Sequence, residues 1–133
     1  MKEKTSQIKL VIVDKDQFVA ELLRNSLHQQ YEINVLWISK GEYDLLSKLS
    51  EAEVLPDVLL LDLDMNTIDT AMRVRMQFPS IKIIIWSSNY DKSFIGELLK
   101  LGINAFLPKD IPLQELKEII EIVVKTGNYI RGD

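Results

Sequence analysis

The sequence predicts an α/β domain in which helices cover both faces of one parallel, doubly wound sheet of five strands. The first observation behind this prediction is an alternation along the chain. Five short apolar runs are each followed by a longer segment whose apolar residues recur at helical spacing, which is typical of such sheets. The second observation is that the first, third, fourth and fifth runs end at polar groups that suit a common site, namely acids, a hydroxyl and a lysine, as expected where parallel strands all end at one polar edge.

The predicted strands are the apolar runs themselves. Runs this short, bounded by turn residues, are typical of strands buried on both faces. The third run shows the pattern most clearly, because Pro56 precedes an unbroken apolar stretch from Val58 to Leu61 and Asp62 follows it. The strands are expected at residues 8–13, 33–38, 58–61, 81–86 and 105–107.

A helix is predicted after each strand, and right-handed crossovers would distribute these helices over both faces of the sheet. The helices are expected at residues 17–30, 41–49, 68–76, 91–100 and 112–126, with Gly127 as the final stop. The side chains expected to face inward are Phe18, Val19, Leu22, Leu23 and Leu27 in the first helix, Tyr43, Leu46 and Leu49 in the second, Phe94, Ile95, Leu98 and Leu99 in the fourth, and Leu113, Leu116, Ile119, Ile120 and Val123 in the last.

The composition indicates one ordinary globular domain. The 133 residues are 47% apolar and 27% charged, a balance that supports a single core. A net charge of −4 argues against direct nucleic-acid binding by this segment, and the lack of cysteine excludes disulfides, thiol nucleophiles and cysteine metal sites. The apolar runs are too short to span a membrane and the N-terminus has no apolar signal region, so the cytoplasm is the expected location.

Polar residues at four strand ends form one candidate site. Asp14, Asp62, Ser87 and Lys109 each follow or end a predicted strand, so they should meet at the edge of the sheet where ligands bind. Carboxylates can hold Mg²⁺ through oxygen, and a lysine can neutralise an anionic oxygen. This combination suits phosphoryl transfer, which depends on positioning and charge neutralisation. Asp62 itself can act as the nucleophile and become an aspartyl phosphate.

Four stretches of the sequence, IVDKD, LLLDLDMNTID, WSSN and GINAFLPKD, occur in this order between residues 8 and 127. With their spacing they resemble the receiver domains of two-component response regulators. The lysine–aspartate pair followed by a helix that ends in Gly-Asn-Tyr is most similar to the NarL/LuxR-type subgroup. The resemblance implies the (βα)5 flavodoxin-like receiver fold. It also implies that residues 1–133 are a single receiver domain, with a core at 8–127, excised from the N-terminal part of a longer regulator.

The resemblance implies a role for each residue at the candidate site. Asp62 would be the phosphoacceptor, and Lys109 would contact the phosphoryl group. Asp14, Asp62 and the backbone carbonyl of Asp64 would hold Mg²⁺. Ser87 would be the switch hydroxyl that follows the phosphoryl oxygen.

The resemblance also implies a second switch residue, the aromatic Phe106, and a set of partners. A sensor histidine kinase would donate the phosphoryl group. A C-terminal helix-turn-helix DNA-binding domain outside this chain, or a homodimer surface, would receive the signal. No enzymatic turnover is expected beyond self-phosphorylation and self-dephosphorylation.

Three residues depart from the family pattern. Lys15 stands where the family usually has a second acid, Asn66 replaces a proline, and Thr70 replaces a glycine. The first departure changes the charge of the site, because three acids and a lysine carry −2 whereas Asp14, Lys15, Asp62 and Lys109 carry zero. We therefore expect Lys15 to weaken Mg²⁺ binding and phosphorylation.

Other functions remain open at this point. A receiver-like interaction module that no longer uses phosphate is one, supported by Lys15. A phosphohydrolase of the haloacid-dehalogenase type is another, because DLDMNT resembles the nucleophile motif of that family. Against the hydrolase, the motif follows the third predicted strand instead of the first, and no suitable acid follows Lys109. Phosphate incorporation and turnover of a phosphate ester would separate the three functions.

Purely structural roles are also open for several residues. Asp16 is expected to cap the first helix, and His28 is expected on the surface. Ser87 can be an ordinary strand-end hydroxyl, Phe106 a core residue, and Lys109 a turn lysine.

Overall fold

The structure is a computed structural model that describes residues 7–63 and 67–129. Strands and helices alternate along these residues. A short 3₁₀ turn, Lys92–Phe94, precedes the fourth helix. The elements are β1 Lys9–Val13, α1 Gln17–Tyr31, β2 Asn34–Ser39, α2 Glu42–Glu51, β3 Val58–Asp62, α3 Thr67–Gln77, β4 Lys82–Ser87, α4 Ile95–Lys100, β5 Ala105–Pro108 and α5 Leu113–Thr126.

All five strands pair in parallel in one sheet of order β2-β1-β3-β4-β5. The predicted fold class is therefore confirmed. The chain runs from β1 outward to β2 and then returns to the other side of β1, so β3 lies at the centre of the sheet. This reversal opens a crevice at the carboxyl ends of β1 and β3, the place where ligands bind in sheets of this kind.

The core forms two layers, one on each face of the sheet, because successive side chains of a strand point to opposite faces. On one face, α1 and α5 cover residues such as Leu60 and Ile84. On the other face, α2, α3 and α4 cover residues such as Leu59 and Ile85. Both faces of β3 are thus buried, as its unbroken apolar run predicts.

The inward face predicted for α1 is confirmed at Leu23 and Leu27 but wrong at Phe18, Val19 and Leu22. Phe18 is 73% exposed and Leu22 is 53% exposed, whereas Ala20 and Leu27 are fully buried. The helix has apolar residues on two sides, and the sheet packs against the side that carries Ala20 and Leu27. Periodicity identifies the helix but does not choose between two apolar sides.

Two other aromatic residues predicted to be inward are also exposed. Tyr43 is 89% exposed in α2 and Phe94 is 50% exposed. Phe94 belongs to the 3₁₀ turn and not to the helix, because the Asp91 side chain caps that turn by accepting from the Ser93 backbone N–H at 3.0 Å. The stripe predicted for α5 is confirmed by four buried residues, Leu116, Ile119, Ile120 and Val123.

The predicted cap at the start of α1 and the predicted glycine stop at the end of α5 are both present. The Asp16 side chain accepts a hydrogen bond from the Val19 backbone N–H at 3.2 Å and caps α1. Gly127 ends α5 with φ = +95°, a left-handed conformation that favours glycine. His28 is exposed, as expected. In the part of the chain that the structure describes, no helix is long and apolar enough to cross a bilayer.

A network of hydrogen bonds around Arg75 and Asn104, here called the polar knot, lies at the end of the sheet opposite the strand ends that carry the candidate site. The Arg75 guanidinium donates to the carbonyl oxygens of Pro79, Ile81 and Gly102 at 2.7–3.1 Å and to Asn104 Oδ1 at 2.9 Å. Burial lowers the pKa of Arg75 from its ordinary value, but a guanidinium remains charged at neutral pH. The knot therefore joins α3 to β4 and to the turn before β5.

Asn104 extends this knot to the end of α5. Its Oδ1 atom also accepts from the Ile83 backbone N–H at 2.7 Å, and its Nδ2 atom donates to the Gly127 carbonyl at 2.5 Å. The Asn104 carbonyl accepts from the Tyr129 backbone N–H at 2.9 Å. One side chain thus holds β4, β5 and the chain after α5 together.

We expect Arg75→Met to lower the free energy of unfolding by about 3 kcal/mol, because it leaves several partly buried carbonyl groups without their charged donor. Urea unfolding followed by circular dichroism measures the change. Arg24→Met is the matched control: among the described residues, the Arg24 guanidinium pairs only with the surface residue Glu21, at 3.9 Å, and its loss should cost less than about 1 kcal/mol. Equal losses in the two variants would contradict the importance of the knot.

Candidate functional site

Lys109 joins two of the predicted acids at the carboxyl edge of the sheet. Its Nζ atom lies 2.8 Å from Asp14 Oδ2 and 2.8 Å from Asp62 Oδ1. The side chains of Asp14, Asp62 and Lys109 are 1%, 14% and 23% exposed, respectively. The structure therefore brings together three of the residues that the sequence predicted at this edge.

The backbone of the strands positions these groups. The Lys109 backbone N–H donates to the Ser87 carbonyl at 2.8 Å, and the Asp14 N–H donates to the Ser39 carbonyl at 3.0 Å. Each bond continues the strand ladder one residue past the assigned strand. The carboxylates and the ammonium are thus attached to rigid backbone, whereas side chains on long loops would have to be ordered first.

Asp14 is a buried acid whose two oxygens are both engaged. Oδ2 accepts from Lys109, and Oδ1 accepts from the Asp16 backbone N–H at 2.9 Å. The Gln17 side chain donates to the Asp14 carbonyl at 2.6 Å. A buried carboxylate is costly unless it is paired and hydrogen-bonded, and Asp14 satisfies both conditions.

Asp62 is held at the end of β3 by its own backbone. The Thr67 hydroxyl donates to the Asp62 carbonyl at 2.7 Å, and the Leu63 N–H donates to the Trp86 carbonyl at 2.8 Å. These bonds hold the backbone of Asp62 and Leu63 at the end of the strand. Unlike Asp14, Asp62 is partly exposed, so its carboxylate can be reached from solvent.

The ammonium of Lys109 stays charged well into the alkaline range. Burial by itself lowers the pKa of Lys109, but the hydrogen bonds and charges of Asp14 and Asp62 outweigh burial and raise that pKa above its ordinary value. With both acids ionised, the three groups carry one net negative charge, and a single cation serves two carboxylates.

The predicted switch residues lie on the next two strands of the sheet, Ser87 on β4 and Phe106 on β5. Ser87 is 3% exposed at the end of β4, and its Oγ atom accepts from the Asn89 backbone N–H at 2.9 Å. Phe106 is 4% exposed, and its ring centroid lies 4.7 Å from that of Tyr90. The structure shows where these residues lie; their switch roles remain predictions.

Two aromatic neighbours of the site were not assigned a role from the sequence. Tyr90 packs on Phe106, and the ring of Trp86 lies 5.2 Å from the Lys109 ammonium. Trp86 could have been noticed, because it directly precedes the strand-end Ser87. Tyr90 gives no comparable signal, since it lies in a polar loop.

A cleft of about 390 Å³ opens beside the acids. One of its walls is braced by Glu42, whose Oε1 atom accepts from the Thr70 hydroxyl at 2.6 Å and from Arg73 Nη1 at 2.7 Å. Lys15 is exposed and lines the cleft together with Asp62. The lining residues are Val13, Asp14, Lys15, Lys40, Gly41, Glu42, Leu61, Asp62, Thr67, Asp69, Thr70 and Arg73.

The described donors do not fit a strong Mg²⁺ site. Asp14 has both oxygens engaged, Asp62 shares Lys109 with it, and the adjacent side chain is the cationic Lys15. Hard divalent cations need several free oxygen ligands and negative charge. Within residues 7–63 and 67–129, no three His, Cys, Asp or Glu side chains are grouped to hold a metal. Asp64 and Asn66 lie outside the described residues.

Comparison with known sequences identifies relatives along nearly the whole chain. It is 27% identical over 133 residues to the transcriptional regulatory protein DegU of Brevibacillus brevis, an alignment that covers 94% of this chain and 53% of DegU. It is 28% identical over 125 residues to a chemotaxis protein CheY homolog of Campylobacter jejuni, covering 91% of this chain and 95% of that protein. The chain therefore spans about half the length of DegU.

A solved structure and a family sequence model agree with this relationship. The isolated REC domain of RcsB from Salmonella enterica serovar Typhimurium, in the presence of phosphomimetic BeF₃⁻, has a TM-score of 0.80 and 22% identity over 95% of this chain and 94% of that chain. This likeness shows the fold. The model of the response regulator receiver domain matches residues 10–121. Since that match covers most of its length, the chain belongs to the response regulator receiver domain family.

Proposed function

We propose that this receiver domain accepts a phosphoryl group on Asp62 from a sensor histidine kinase and passes the change to an effector. The observation that carries the proposal is the contact of Lys109 with both Asp14 and Asp62 at the carboxyl edge of the sheet. It provides a partly exposed nucleophile, a fixed cation and a buried acid that holds the cation in place. The family match favours this function over the haloacid-dehalogenase-type hydrolase.

This arrangement supplies the nucleophile and one cation for the reaction. A carboxylate oxygen of Asp62, reached through the cleft, attacks the phosphorus atom of a phosphohistidine. A P–O bond forms, the P–N bond breaks, and the electron pair of that bond leaves with the imidazole, which is neutral because its other ring nitrogen already carries a proton. The new phosphoryl group carries more negative charge than the carboxylate that it replaces. The Lys109 ammonium is already within hydrogen-bonding distance of Asp62 and neutralises part of that charge.

Ser87 and Phe106 would change position in response to the new charge and so alter the surface of the domain. The Ser87 Oγ atom now accepts from the Asn89 N–H, which leaves its own hydroxyl proton to donate to a phosphoryl oxygen. Phe106 lies on the neighbouring strand and packs against Tyr90. A shift of these side chains would change the α4 and α5 surface, which includes Lys100 and Lys117.

Receiver domains generally bind Mg²⁺ at their acidic site, and this chain is expected to bind it weakly. The positive charge of Lys15 lies at the position that usually supplies a carboxylate. If Lys15 suppresses phosphorylation altogether, the domain acts as a phosphate-independent interaction module, the alternative function for the same fold.

The relatives suggest the setting in which the domain works. DegU is a transcriptional regulatory protein, and this chain spans about half of its length. Residues 1–133 would accordingly be the single receiver domain of a longer cytoplasmic regulator of the NarL/LuxR type. A C-terminal helix-turn-helix domain would bind DNA, and phosphorylation would promote a homodimer.

Asp62→Asn should abolish phosphoryl uptake while leaving the fold intact, because an amide is not a nucleophile but has the same shape. Incubation with a small phosphodonor, with and without Mg²⁺, followed by intact-mass measurement, tests this. Asp69→Asn is the matched control, since Asp69 is an exposed acid that lines the same cleft and should leave uptake unchanged. Equal labelling of Asp62→Asn and the parent chain would reject the assignment.

Lys15→Asp should strengthen Mg²⁺ binding by at least about tenfold, because it replaces a positive charge near the acids with a negative one. Lys15→Met, which removes the charge without adding an acid, should give an intermediate affinity. Isothermal titration calorimetry with MgCl₂ measures all three forms. Tight binding by the parent chain that does not change in Lys15→Asp would show that Lys15 does not control the metal.

A further inference from the structure

We infer that Trp86 is a positioning residue for Lys109: its indole ring holds the ammonium in the place from which it serves Asp62. The inference deepens the proposed function and rests on it, because it adds a residue to the phosphoryl site. It is supported by the position of Trp86 in the sheet and by the distance from its ring to the ammonium. It is also supported by the unfavourable burial of the indole N–H group, which an apolar core residue would avoid.

Strand order places Trp86 beneath the path of the lysine side chain. Lys109 follows β5, whereas the acids that it contacts lie at the ends of β3 and β1, so its stem must cross β4. Trp86 is the register partner of Asp62 on β3 and of Leu107 on β5. It is therefore the β4 residue that lies level with the end of β3.

The distance fits a cation–π contact. The Lys109 Nζ atom lies 5.2 Å from the centroid of the Trp86 ring, within the range of about 6 Å in which an aromatic face attracts a cation. An ammonium has three N–H donors, and the Asp14 and Asp62 contacts use two of them. The ring supplies a third neighbour of the ammonium.

Trp86 makes this contact at a cost. It is 4% exposed, and its Nε1 atom is buried with no hydrogen-bond partner among the described residues. An unsatisfied buried donor is unfavourable, and phenylalanine would fill similar space without one. The other tryptophan differs, because Trp37 Nε1 donates to Ser39 Oγ at 3.0 Å. Indole binds a cation better than phenyl does, which gives Trp86 a reason to be there.

The contact matters when Asp62 changes charge. A lysine side chain is long and flexible, and its ammonium is readily hydrated. When the Asp62 carboxylate becomes a phosphoryl group, Lys109 must exchange one oxygen partner for another. Asp14 and the Trp86 ring stay in place during that exchange, so the ammonium remains at the site instead of moving to water.

A double-mutant cycle tests the inference. Trp86→Leu should slow phosphoryl uptake from a small phosphodonor between about twofold and thirtyfold, the range expected from a cation–π contact. The same substitution should have no further effect in a Lys109→Met background. Trp86→Phe should keep most of the rate because it keeps an aromatic face, and Trp37→Phe should keep all of it. An equal effect of Trp86→Leu in the parent chain and in the Lys109→Met background would overturn the inference.

A second readout does not depend on phosphorylation. The ε-methylene protons of Lys109 should show an upfield ring-current shift in the NMR spectrum of the parent chain and of Trp86→Phe, and an ordinary shift in Trp86→Leu. Urea unfolding of the four cycle members should show a coupling of about twofold or more in the unfolding constant. A parent chain that takes no phosphate would reject the proposed function alone, whereas an unshifted Lys109 signal without coupling would reject the role of Trp86.

Discussion

The contact of one lysine with two acids is the interaction on which the rest of the site depends. Asp14 is buried and would be costly without a cation beside it. Lys109 provides that cation, and because its stem crosses β4, it connects the ends of three strands that are not neighbours in sequence. Asp62 shares the cation but keeps access to solvent. A single lysine, paired with two acids, thus fixes the geometry of the site and leaves one acid able to react.

The sequence predicts the sheet well and the helix surfaces less well. The strand positions follow from the apolar runs, since a strand that is apolar on both faces must be buried on both faces. The residues at the strand ends are then brought together by parallel pairing alone. The α5 stripe is predictable because it has one apolar side. The α1 face is not, since Phe18 and Leu22 oppose Ala20 and Leu27 and only packing against the sheet decides between them.

Within the site, the predictable part is the set of groups attached directly to strand ends: Asp14, Asp62, Ser87 and Lys109. The unpredictable part depends on which way long side chains turn. The contact of Trp86 with Lys109 and the brace of Glu42 with Arg73 each join residues far apart in sequence. No periodicity or spacing predicts such pairs, because they depend on the conformations of long side chains in the folded protein.

The polar knot around Asn104 has a mechanical consequence for α5. The helix is pinned at Gly127 by the Asn104 side chain, whereas its first turn, at Leu113, is held by apolar packing. A displacement that begins near Lys109 would therefore tilt α5 about a pivot at its far end instead of sliding it along its axis. The helix has 14 residues, so it is about 21 Å long. A movement of about 1 Å at the free end corresponds to a rotation of about 3° over that length.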